Sequence, residues 1–219
     1  MTPRGVVYLH GFASSSASMK ATYFSERFAE HGVPVRCPDL NQPDFSTLTI
    51  TRMIDQLDRE IVVLETSVLG PVTLMGSSLG GTLAILAAER FAGRIDRLVL
   101  LAPAVMFAKP GHHLLSPRRI EEWREQGSMP FFHYGARAQQ PLNFSFYEDS
   151  LRYNAFDTVF SQPTLIFQGQ RDASVIPATV EAFASARPNV RLIRLDDDHQ
   201  LTTSLPIIWE ETSRFLSLA

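Results

Sequence analysis

Short apolar runs alternate with amphipathic stretches along the first hundred residues of the chain. The apolar runs cover residues 5–9, 33–37, 72–75 and 97–102. Such short runs, rich in branched side chains, are typical of strands buried on both faces of a parallel sheet. Between them, apolar residues recur at helical spacing. This spacing predicts a helix that ends near His31 and two further helices over residues 50–64 and 82–91.

The same alternation resumes in the C-terminal third of the chain. Two more strands are predicted over residues 163–168 and 190–195, and helices over 176–186 and 205–218. Strands that alternate with helices favour parallel pairing through right-handed crossovers, with helices on both faces of the sheet. We therefore predict an α/β fold with a mostly parallel sheet of about six strands, in a single domain over residues 1–219.

The alternation of strands and helices stops after Pro103, which ends the fourth predicted strand. Residues 104–157 contain a polar helical stretch around 120–126 and many aromatic residues, and residues 143–147 are expected to form a small strand or hairpin arm. We interpret the segment as an insertion that covers one end of the sheet as a lid or cap. Most of its aromatic side chains are expected to bury the insertion against the body, while a few facing a cleft would suffice to bind an apolar substrate.

The strand at 72–75 runs into Gly76-Ser77-Ser78-Leu79-Gly80-Gly81, after which a helical pattern begins. A G-x-S-x-G between a strand and a helix is the sequence form of a nucleophile elbow, a sharp turn that exposes its central serine. Gly76 and Gly80 leave room for the turn, and Gly81 allows close packing of the helix. Ser77 competes for the role, but the glycine spacing centres on Ser78. A helix N-terminus also favours negative charge that develops there.

Two more chemically competent side chains follow later predicted strands. Asp172 lies in the loop after residues 163–168, and His199 in the loop after residues 190–195. Ligands of open α/β sheets bind at the carboxyl ends of the strands, so these side chains are expected to meet Ser78 there. A serine needs an adjacent base, which imidazole supplies near neutral pH. A buried carboxylate would orient that imidazole and stabilise its cationic form.

The carboxylate has rivals in the sequence. Asp172 could instead be a turn or helix-capping residue, and residues 196–198 are three aspartates immediately before His199. A carboxylate next to the histidine in sequence usually points away from the ring. We therefore predict Asp172 as the acid and a solvated turn at residues 196–198.

Composition and charge exclude several other classes of function. The net charge of −3 favours neither nucleic acid nor an anionic membrane as a partner. No apolar run is long enough to span a bilayer, and none resembles a signal segment near Met1. We expect a cytoplasmic protein. Oligomeric state is not encoded in any pattern that we recognise.

The remaining histidines and the cysteine are expected to be structural. His112 and His113 are adjacent and poorly placed to share a metal ion, and no spacing typical of a metal site occurs. His133 lies among the aromatic residues of the insertion and could line the pocket. Cys37, the single cysteine, is expected to be a small apolar filler at a strand end. We predict neither a metal ion nor a cofactor.

The motifs together resemble the α/β-hydrolase superfamily over essentially the whole chain. Within it the chain is similar to compact serine esterases and thioesterases, such as YqiA-like bacterial esterases and acyl-protein thioesterases with an abhydrolase domain. The resemblance is carried by residues 8–12, 76–81, 169–172 and 198–199. It implies an oxyanion hole formed by the backbone N–H groups of Phe12 and Leu79, with the side chain of His10 as support.

Three hypotheses about function remain at this point. The first is a serine hydrolase that acts on a small-molecule ester or acyl thioester, with Ser78 as nucleophile, His199 as base and Asp172 as the orienting acid. The second is an acyltransferase or perhydrolase, which would form the same acyl-enzyme but pass it to another acceptor. The third, disfavoured by the intact nucleophile, acid and base positions, is a non-catalytic binding protein on a hydrolase scaffold.

Overall fold

A computed structural model describes residues 3–109 and 115–218. The strands are β1 (Val6–Leu9), β2 (Val35–Arg36), β3 (Val72–Ser77), β4 (Ile95–Leu101), β5 (Ser128–His133), β6 (Ala138–Asn143), β7 (Thr164–Gly169) and β8 (Val190–Leu195). The helices are α1 (Met19–Glu30), α2 (Ile50–Val68), α3 (Leu79–Arg90), α4 (Pro117–Gln126), α5 (Ser145–Ser150), α6 (Pro177–Ser185) and α7 (Leu205–Leu216). No helix among these residues is long and apolar enough to cross a membrane.

The main sheet has six strands in the order β2-β1-β3-β4-β7-β8, and every neighbouring pair is parallel. This confirms the predicted α/β fold with a mostly parallel six-stranded sheet. Strands β1, β3 and β7 are buried along their whole length, as their continuous apolar sequences predict.

Helices cover both faces of this sheet. Alternate residues of β1 point to opposite faces, so Val7 and Leu9 join one apolar cluster while Val6 and Tyr8 join another. The first cluster packs under α2, α3 and α6, and the second under α1 and α7. The carboxyl ends of the central strands therefore lie at one edge of the sheet, between the two layers of helices. The loops that follow these strands meet at that edge.

Helix α2 is one turn longer than we predicted. The prediction ended at Leu64, whereas the helix continues to Val68, and the next residue, Leu69, adopts a left-handed conformation with φ 54°. The last turn is largely exposed. Val68, however, lies four positions after Leu64 and packs against the same apolar cluster, so the helical spacing continues one turn beyond the predicted end.

The insertion after β4 differs from the expectation. Residues 143–147 do not form a strand or hairpin arm, because Asn143 ends β6 and α5 begins at Ser145. The hairpin lies earlier, where β5 pairs antiparallel with β6 and Pro130 faces Pro141. Prolines in both strands obscured this hairpin in the sequence, because proline cannot donate to a ladder and is tolerated in strands mainly at edges.

The residues after β6 form the short helix α5, and the aromatic side chains of this segment pack in two directions. Phe144 and Tyr147, three positions apart, lie on the same side of the chain and both contact the ring of Trp123 in α4. Phe146 points the other way and is buried against Phe12. The alternation of aromatic and polar residues that resembled a strand is thus the two-sided packing of a short helix.

Several contacts fasten the insertion to the body. The Tyr134 amide donates to the carbonyl oxygen of Ala13 over 2.7 Å, and the Asn143 amide donates to that of Ser46 over 2.9 Å. Asp149 accepts from the backbone amide of Thr51 over 2.8 Å and from its hydroxyl over 2.6 Å. The insertion therefore lies against the loops at the carboxyl ends of β1 and β2.

Candidate active site

Ser78 occupies the sharp turn between β3 and α3, with φ 53° and ψ −115°. The turn is possible because the flanking glycines lack a side chain. A Cβ on Gly76 would lie 2.3 Å from the carbonyl oxygen of Gly80, and one on Gly80 would lie 2.1 Å from that of Leu9. Ser77 is buried as the last residue of β3, whereas Ser78 is partly exposed. The local geometry therefore presents Ser78 and hides the competing serine.

Three loops bring Ser78, His199 and Asp172 together. The Ser78 Oγ lies 3.1 Å from the Nε2 of His199, and the Nδ1 of the same ring lies 2.8 Å from the Oδ2 of Asp172. The loops follow β3, β8 and β7, whose carboxyl ends share one edge of the parallel sheet. Because Nδ1 faces a carboxylate, that nitrogen carries the proton, and Nε2 is left to accept the proton of the serine hydroxyl.

Hydrogen bonds to both carboxylate oxygens hold the side chain of Asp172 in place. It is buried, and its Oδ1 accepts hydrogen bonds from the backbone amides of Ser174 and Val175, both over 2.8 Å. Its Oδ2 accepts a further bond from the side chain of Gln168 over 3.0 Å. Burial by itself would raise the pKa of Asp172, but the bonds from His199 and from the two amides outweigh it and hold the pKa below its ordinary value. The carboxylate is therefore ionised and oriented toward the ring.

None of the three aspartates before His199 contacts its ring. Asp196 pairs with Arg171, and Asp198 is exposed and accepts from the amide of Gln200 over 2.8 Å. Asp197 is buried and accepts from the hydroxyl of Thr203 and the amide of Ser204, over 2.7 and 3.0 Å. The expectation of a solvated turn is wrong for Asp197, which binds the chain just before α7 and so fixes the loop that carries His199.

The two amides implied for an oxyanion hole flank the serine. Leu79 is the first residue of α3, and the loop after β1 comes so close to the elbow that a Cβ on Gly11 would lie 3.5 Å from the Cβ of Ser78. Neither the Phe12 nor the Leu79 amide donates to an acceptor in the described part of the chain. Both donors are thus available beside Ser78.

His10 supports that loop rather than entering the cavity. Its Nε2 accepts a hydrogen bond from the backbone amide of Leu40 over 3.0 Å, so its Nδ1 carries the proton and donates to the carbonyl oxygen of Gly11 over 2.9 Å. The side chain is buried. It therefore ties the loop after β1 to the loop after β2 and holds the Phe12 amide near the elbow.

Ser78 and His199 open into a cavity of about 1070 Å³ between the sheet edge and the insertion. Aromatic side chains form much of its wall, namely Phe12, Phe107, Trp123, Phe131, Phe146 and Tyr147. The Phe12 ring contacts those of Phe131 and Phe146 with centroids 5.5 and 5.4 Å apart. Some aromatic residues of the insertion thus face the cavity while they also pack the insertion onto the body.

Other candidate residues lie outside this site. His133 lines a separate cavity of about 420 Å³ and accepts a hydrogen bond from the Ala136 amide, so the idea that it lines the main pocket is wrong. Burial raises the pKa of the Cys37 thiol to about 12, so the thiol is not activated. His112 and His113 lie outside the described residues. Among the residues described, no group of three or more His, Cys, Asp or Glu could hold a metal ion.

One charged residue of the cavity wall, Lys20, was not predicted from the sequence. Lys20, in the first turn of α1, donates from its Nζ to the carbonyl oxygen of Gln200 over 3.0 Å and faces the cavity. The two residues are separated by 180 positions. No local pattern could have indicated this contact.

Comparison with known proteins identifies related sequences and folds. A model of an uncharacterised protein family, UPF0227, matches residues 5–214. A search of curated protein sequences found no match.

Three solved structures illustrate the similarity of fold. Est1E from Butyrivibrio proteoclasticus with bound ferulic acid is 21% identical, covers 98% of this chain and 89% of its own, and has a TM-score of 0.84. Mouse alpha/beta hydrolase domain-containing protein 10 is 19% identical, with coverages of 97% and 89% and a TM-score of 0.80. A monoacylglycerol lipase from Paleococcus ferrophilus is 14% identical, with coverages of 100% and 96% and a TM-score of 0.77. The chain shares the α/β-hydrolase fold with them.

Proposed function

The chain belongs to the UPF0227 family and has the α/β-hydrolase fold, and from this premise we propose that it is a serine hydrolase of carboxylic esters or thioesters. The observation that carries the proposal is the continuous series of contacts from Ser78 through His199 to Asp172. A partly exposed serine on a strained turn, a base within hydrogen-bond distance and a buried carboxylate behind the base are the components of nucleophilic acyl transfer. A lipase and an esterase among the solved structures of this fold support the same class of reaction.

The first half of the reaction acylates Ser78. As the Ser78 Oγ attacks the carbonyl carbon of the substrate, His199 Nε2 takes the hydroxyl proton. The carbonyl π electrons move to oxygen, and that oxyanion accepts hydrogen bonds from the Phe12 and Leu79 amides. Asp172 stabilises the imidazolium that forms. When the tetrahedral intermediate collapses, the bond to the leaving oxygen or sulfur breaks, and His199 donates its proton to that atom.

The second half restores the enzyme. Water enters beside His199, which removes a proton from it as the water oxygen attacks the acyl carbon. A second tetrahedral intermediate forms in the same oxyanion hole. Its collapse breaks the bond to Ser78, His199 returns the proton to Oγ, and the carboxylic acid leaves. The net reaction consumes one water and needs no external cofactor.

The cavity favours a substrate with an apolar acyl or aryl group. Aromatic side chains contribute much of its wall, and burial of apolar surface stabilises a bound group by about 25 cal/mol per Å². The bound ferulic acid of Est1E shows that a relative of this fold accommodates an aromatic ligand. Residues 104–157 act in this proposal as a cap on the single domain, since they supply much of that wall.

The test is active-site labelling together with a substrate panel. A fluorophosphonate probe is expected to label the wild-type chain and Ser77→Ala but not Ser78→Ala, because only Ser78 lies next to His199. Hydrolysis of p-nitrophenyl esters and of an acyl thioester should follow the same pattern. Labelling that persists in Ser78→Ala, or cleavage of an amide but no ester, would refute the proposal.

A second outcome of the same assay concerns the acceptor. The acyl-enzyme could pass its acyl group to an alcohol or to peroxide instead of water. Product analysis with each acceptor present separates these reactions: free carboxylic acid as the main product supports hydrolysis, and a dominant transfer product supports an acyltransferase.

A further inference from the structure

Lys20 places a cation in the wall of the cavity that holds Ser78 and His199. It is the second residue of α1 and is partly buried. Its Nζ donates one hydrogen bond, over 3.0 Å, to the carbonyl oxygen of Gln200. An ammonium group has three N–H donors, so two remain for other acceptors.

The charge of the cavity wall has one sign. Among the described residues that line it, Lys20 and Arg137 are cationic, and none is an aspartate or a glutamate. Arg137 is exposed on the turn between β5 and β6, whereas Lys20 lies deeper, beside the loop that carries His199. A bound anion would therefore contact cationic groups of the wall and no carboxylate of the wall, while the nearby charges of Asp198, Asp172 and Asp197 offset part of the attraction.

The carboxylates that act on Lys20 are those of Asp198, Asp172 and Asp197, and each accepts hydrogen bonds from other groups; Asp198 binds the amide of Gln200. Asp172 binds His199 and two backbone amides, and Asp197 binds Thr203 and Ser204. Within the described chain Lys20 forms no ion pair of its own. The Lys20 ammonium thus has a carbonyl partner but no carboxylate in an ion pair, and its two remaining N–H donors are available to an anionic ligand.

The position of Lys20 identifies which part of a substrate it meets. Gln200 directly follows His199, so the bond to Gln200 places the ammonium on the histidine side of the cavity. The leaving atom must also lie against His199, because Nε2 delivers the proton to it. The aromatic rings of the insertion instead surround Phe12.

Building on the proposed hydrolase function, we infer that Lys20 selects esters or thioesters whose leaving group carries a negative charge, such as a carboxylate or a phosphate. The anion accepts hydrogen bonds from the free N–H donors of Lys20, which anchors the alcohol or thiol portion beside His199. Bonds between charged groups are stronger than neutral ones, and partial burial weakens the competition from water.

The ionisation of Lys20 predicts how the preference for an anionic leaving group depends on pH. Burial lowers the pKa of Lys20 to about 8, although the charges of Asp198, Asp172 and Asp197 favour its cationic form. The titratable groups that face Lys20 are therefore these three aspartates and the ring of His199. The preference for an anionic leaving group is thus expected below about pH 8, and it should disappear above this pH as the lysine becomes neutral.

The test compares matched substrates that share a butyryl group. They are the butyrate esters of meta-hydroxybenzoate, of meta-hydroxyphenyl phosphate and, as the neutral partner, of methyl meta-hydroxybenzoate. The ratio of anionic to neutral kcat/KM is measured at neutral pH and across the alkaline range. The proteins are the wild type, Lys20→Gln, Lys20→Arg, Arg137→Gln and Lys109→Gln. Lys109 pairs with Asp157 outside the cavity wall and is the matched lysine control.

The wild type is expected to prefer at least one anionic ester about tenfold, the size of one charge-assisted hydrogen bond. Lys20→Gln should abolish the preference by lowering kcat/KM on the anionic ester about tenfold more than on the neutral ester, and Lys20→Arg should keep most of it. Lys109→Gln should not change it. The anion with the larger Lys20-dependent preference identifies the charged group of the substrate.

Three results would overturn the inference. An unchanged ratio in Lys20→Gln removes the role of the lysine. An equal loss on anionic and neutral esters shows that Lys20 only holds the His199 loop. A loss of preference in Arg137→Gln alone assigns the anion to that arginine.

Calorimetric binding of the product meta-hydroxybenzoate decides the point independently of turnover. If the wild type hydrolyses no ester, the proposed function fails, but binding that is weaker in Lys20→Gln than in Lys109→Gln still supports the anion subsite. Equal binding to both variants would overturn it.

Discussion

At the scale of single residues, Asp172 and Asp198 have the same carboxylate but different surroundings. Asp172 is buried, accepts two backbone amides and meets the Nδ1 of His199. Asp198 is next to His199 in sequence, but it is exposed and its carboxylate accepts a hydrogen bond from the amide of Gln200, not from the ring. Proximity in the chain is therefore a poor guide to which carboxylate orients the imidazole.

Replacement of these two residues gives a matched pair of variants. Asp172→Asn is expected to lower kcat by about 10³- to 10⁴-fold, because an amide at this position permits the wrong tautomer of His199. Asp198→Asn should stay within about threefold of the wild type, since no bond to the ring is lost. Steady-state kinetics with a p-nitrophenyl ester measures both, and thermal unfolding checks that each variant is folded. Similar losses in the two variants would contradict the assignment of the acid.

At the scale of the element, the turn between β3 and α3 depends on close backbone contacts. A Cβ on Gly80 would lie 2.1 Å from the carbonyl oxygen of Leu9 and 2.8 Å from that of His10. Both are main-chain atoms of the neighbouring strand and loop, so they cannot move aside as a flexible side chain would. The start of α3 and the end of β1 are therefore packed backbone to backbone, and this contact holds the serine and the Phe12 amide at a fixed separation.

Glycine substitutions test this contact. Gly80→Ala is expected to lower the free energy of unfolding by about 3 kcal/mol, because the added methyl group forces β1 and α3 apart. Gly93→Ala is the control, since a Cβ there meets nothing within 4 Å, and it should stabilise the chain by about 0.5 kcal/mol. Chemical denaturation gives both values. A Gly80→Ala variant as stable as Gly93→Ala would show that the elbow tolerates a wider separation.

At the scale of the whole molecule, the insertion and the body share one apolar cluster. Trp123, Met129 and Phe146 of the insertion belong to the same cluster as Leu9 and Leu57 of the body. Hydrogen bonds from Tyr134 to Ala13 and from Asn143 to Ser46 connect the two parts further. An insertion attached in this way is expected to unfold together with the body, not before it.

The two tryptophans of the chain report on these two parts separately. Trp123 lies in the insertion, and Trp209 lies in α7, where its ring contacts Phe28 at 5.1 Å. In Trp209→Phe the remaining fluorescence follows the insertion, and in Trp123→Phe it follows the body. In each variant the denaturation midpoint from fluorescence should equal that from far-UV circular dichroism. An earlier fluorescence transition in Trp209→Phe alone would show that the insertion opens as a separate unit.

The sequence by itself determined the architecture and pointed to the proposed nucleophile. Parallel strands buried on both faces leave continuous apolar runs, amphipathic helices leave a periodic pattern, and an elbow needs glycines on either side of Ser78. Each of these signals lies within a few neighbouring residues, so it can be read without knowledge of the fold. The meeting of Ser78, Asp172 and His199 at one edge followed from the parallel direction of the three strands that precede them.

Only the tertiary structure decided which groups meet across the chain. The prolines of β5 and β6 masked their hairpin in the sequence. The sequence of α5 resembles a strand, but aromatic residues of this segment pack on both sides as a helix. Asp197 was expected in solvent but is buried beside Ser204. The contact between Lys20 and Gln200 joins residues 180 positions apart. Such contacts depend on how helices and loops pack over the sheet, which no local pattern of hydrophobic and polar residues encodes.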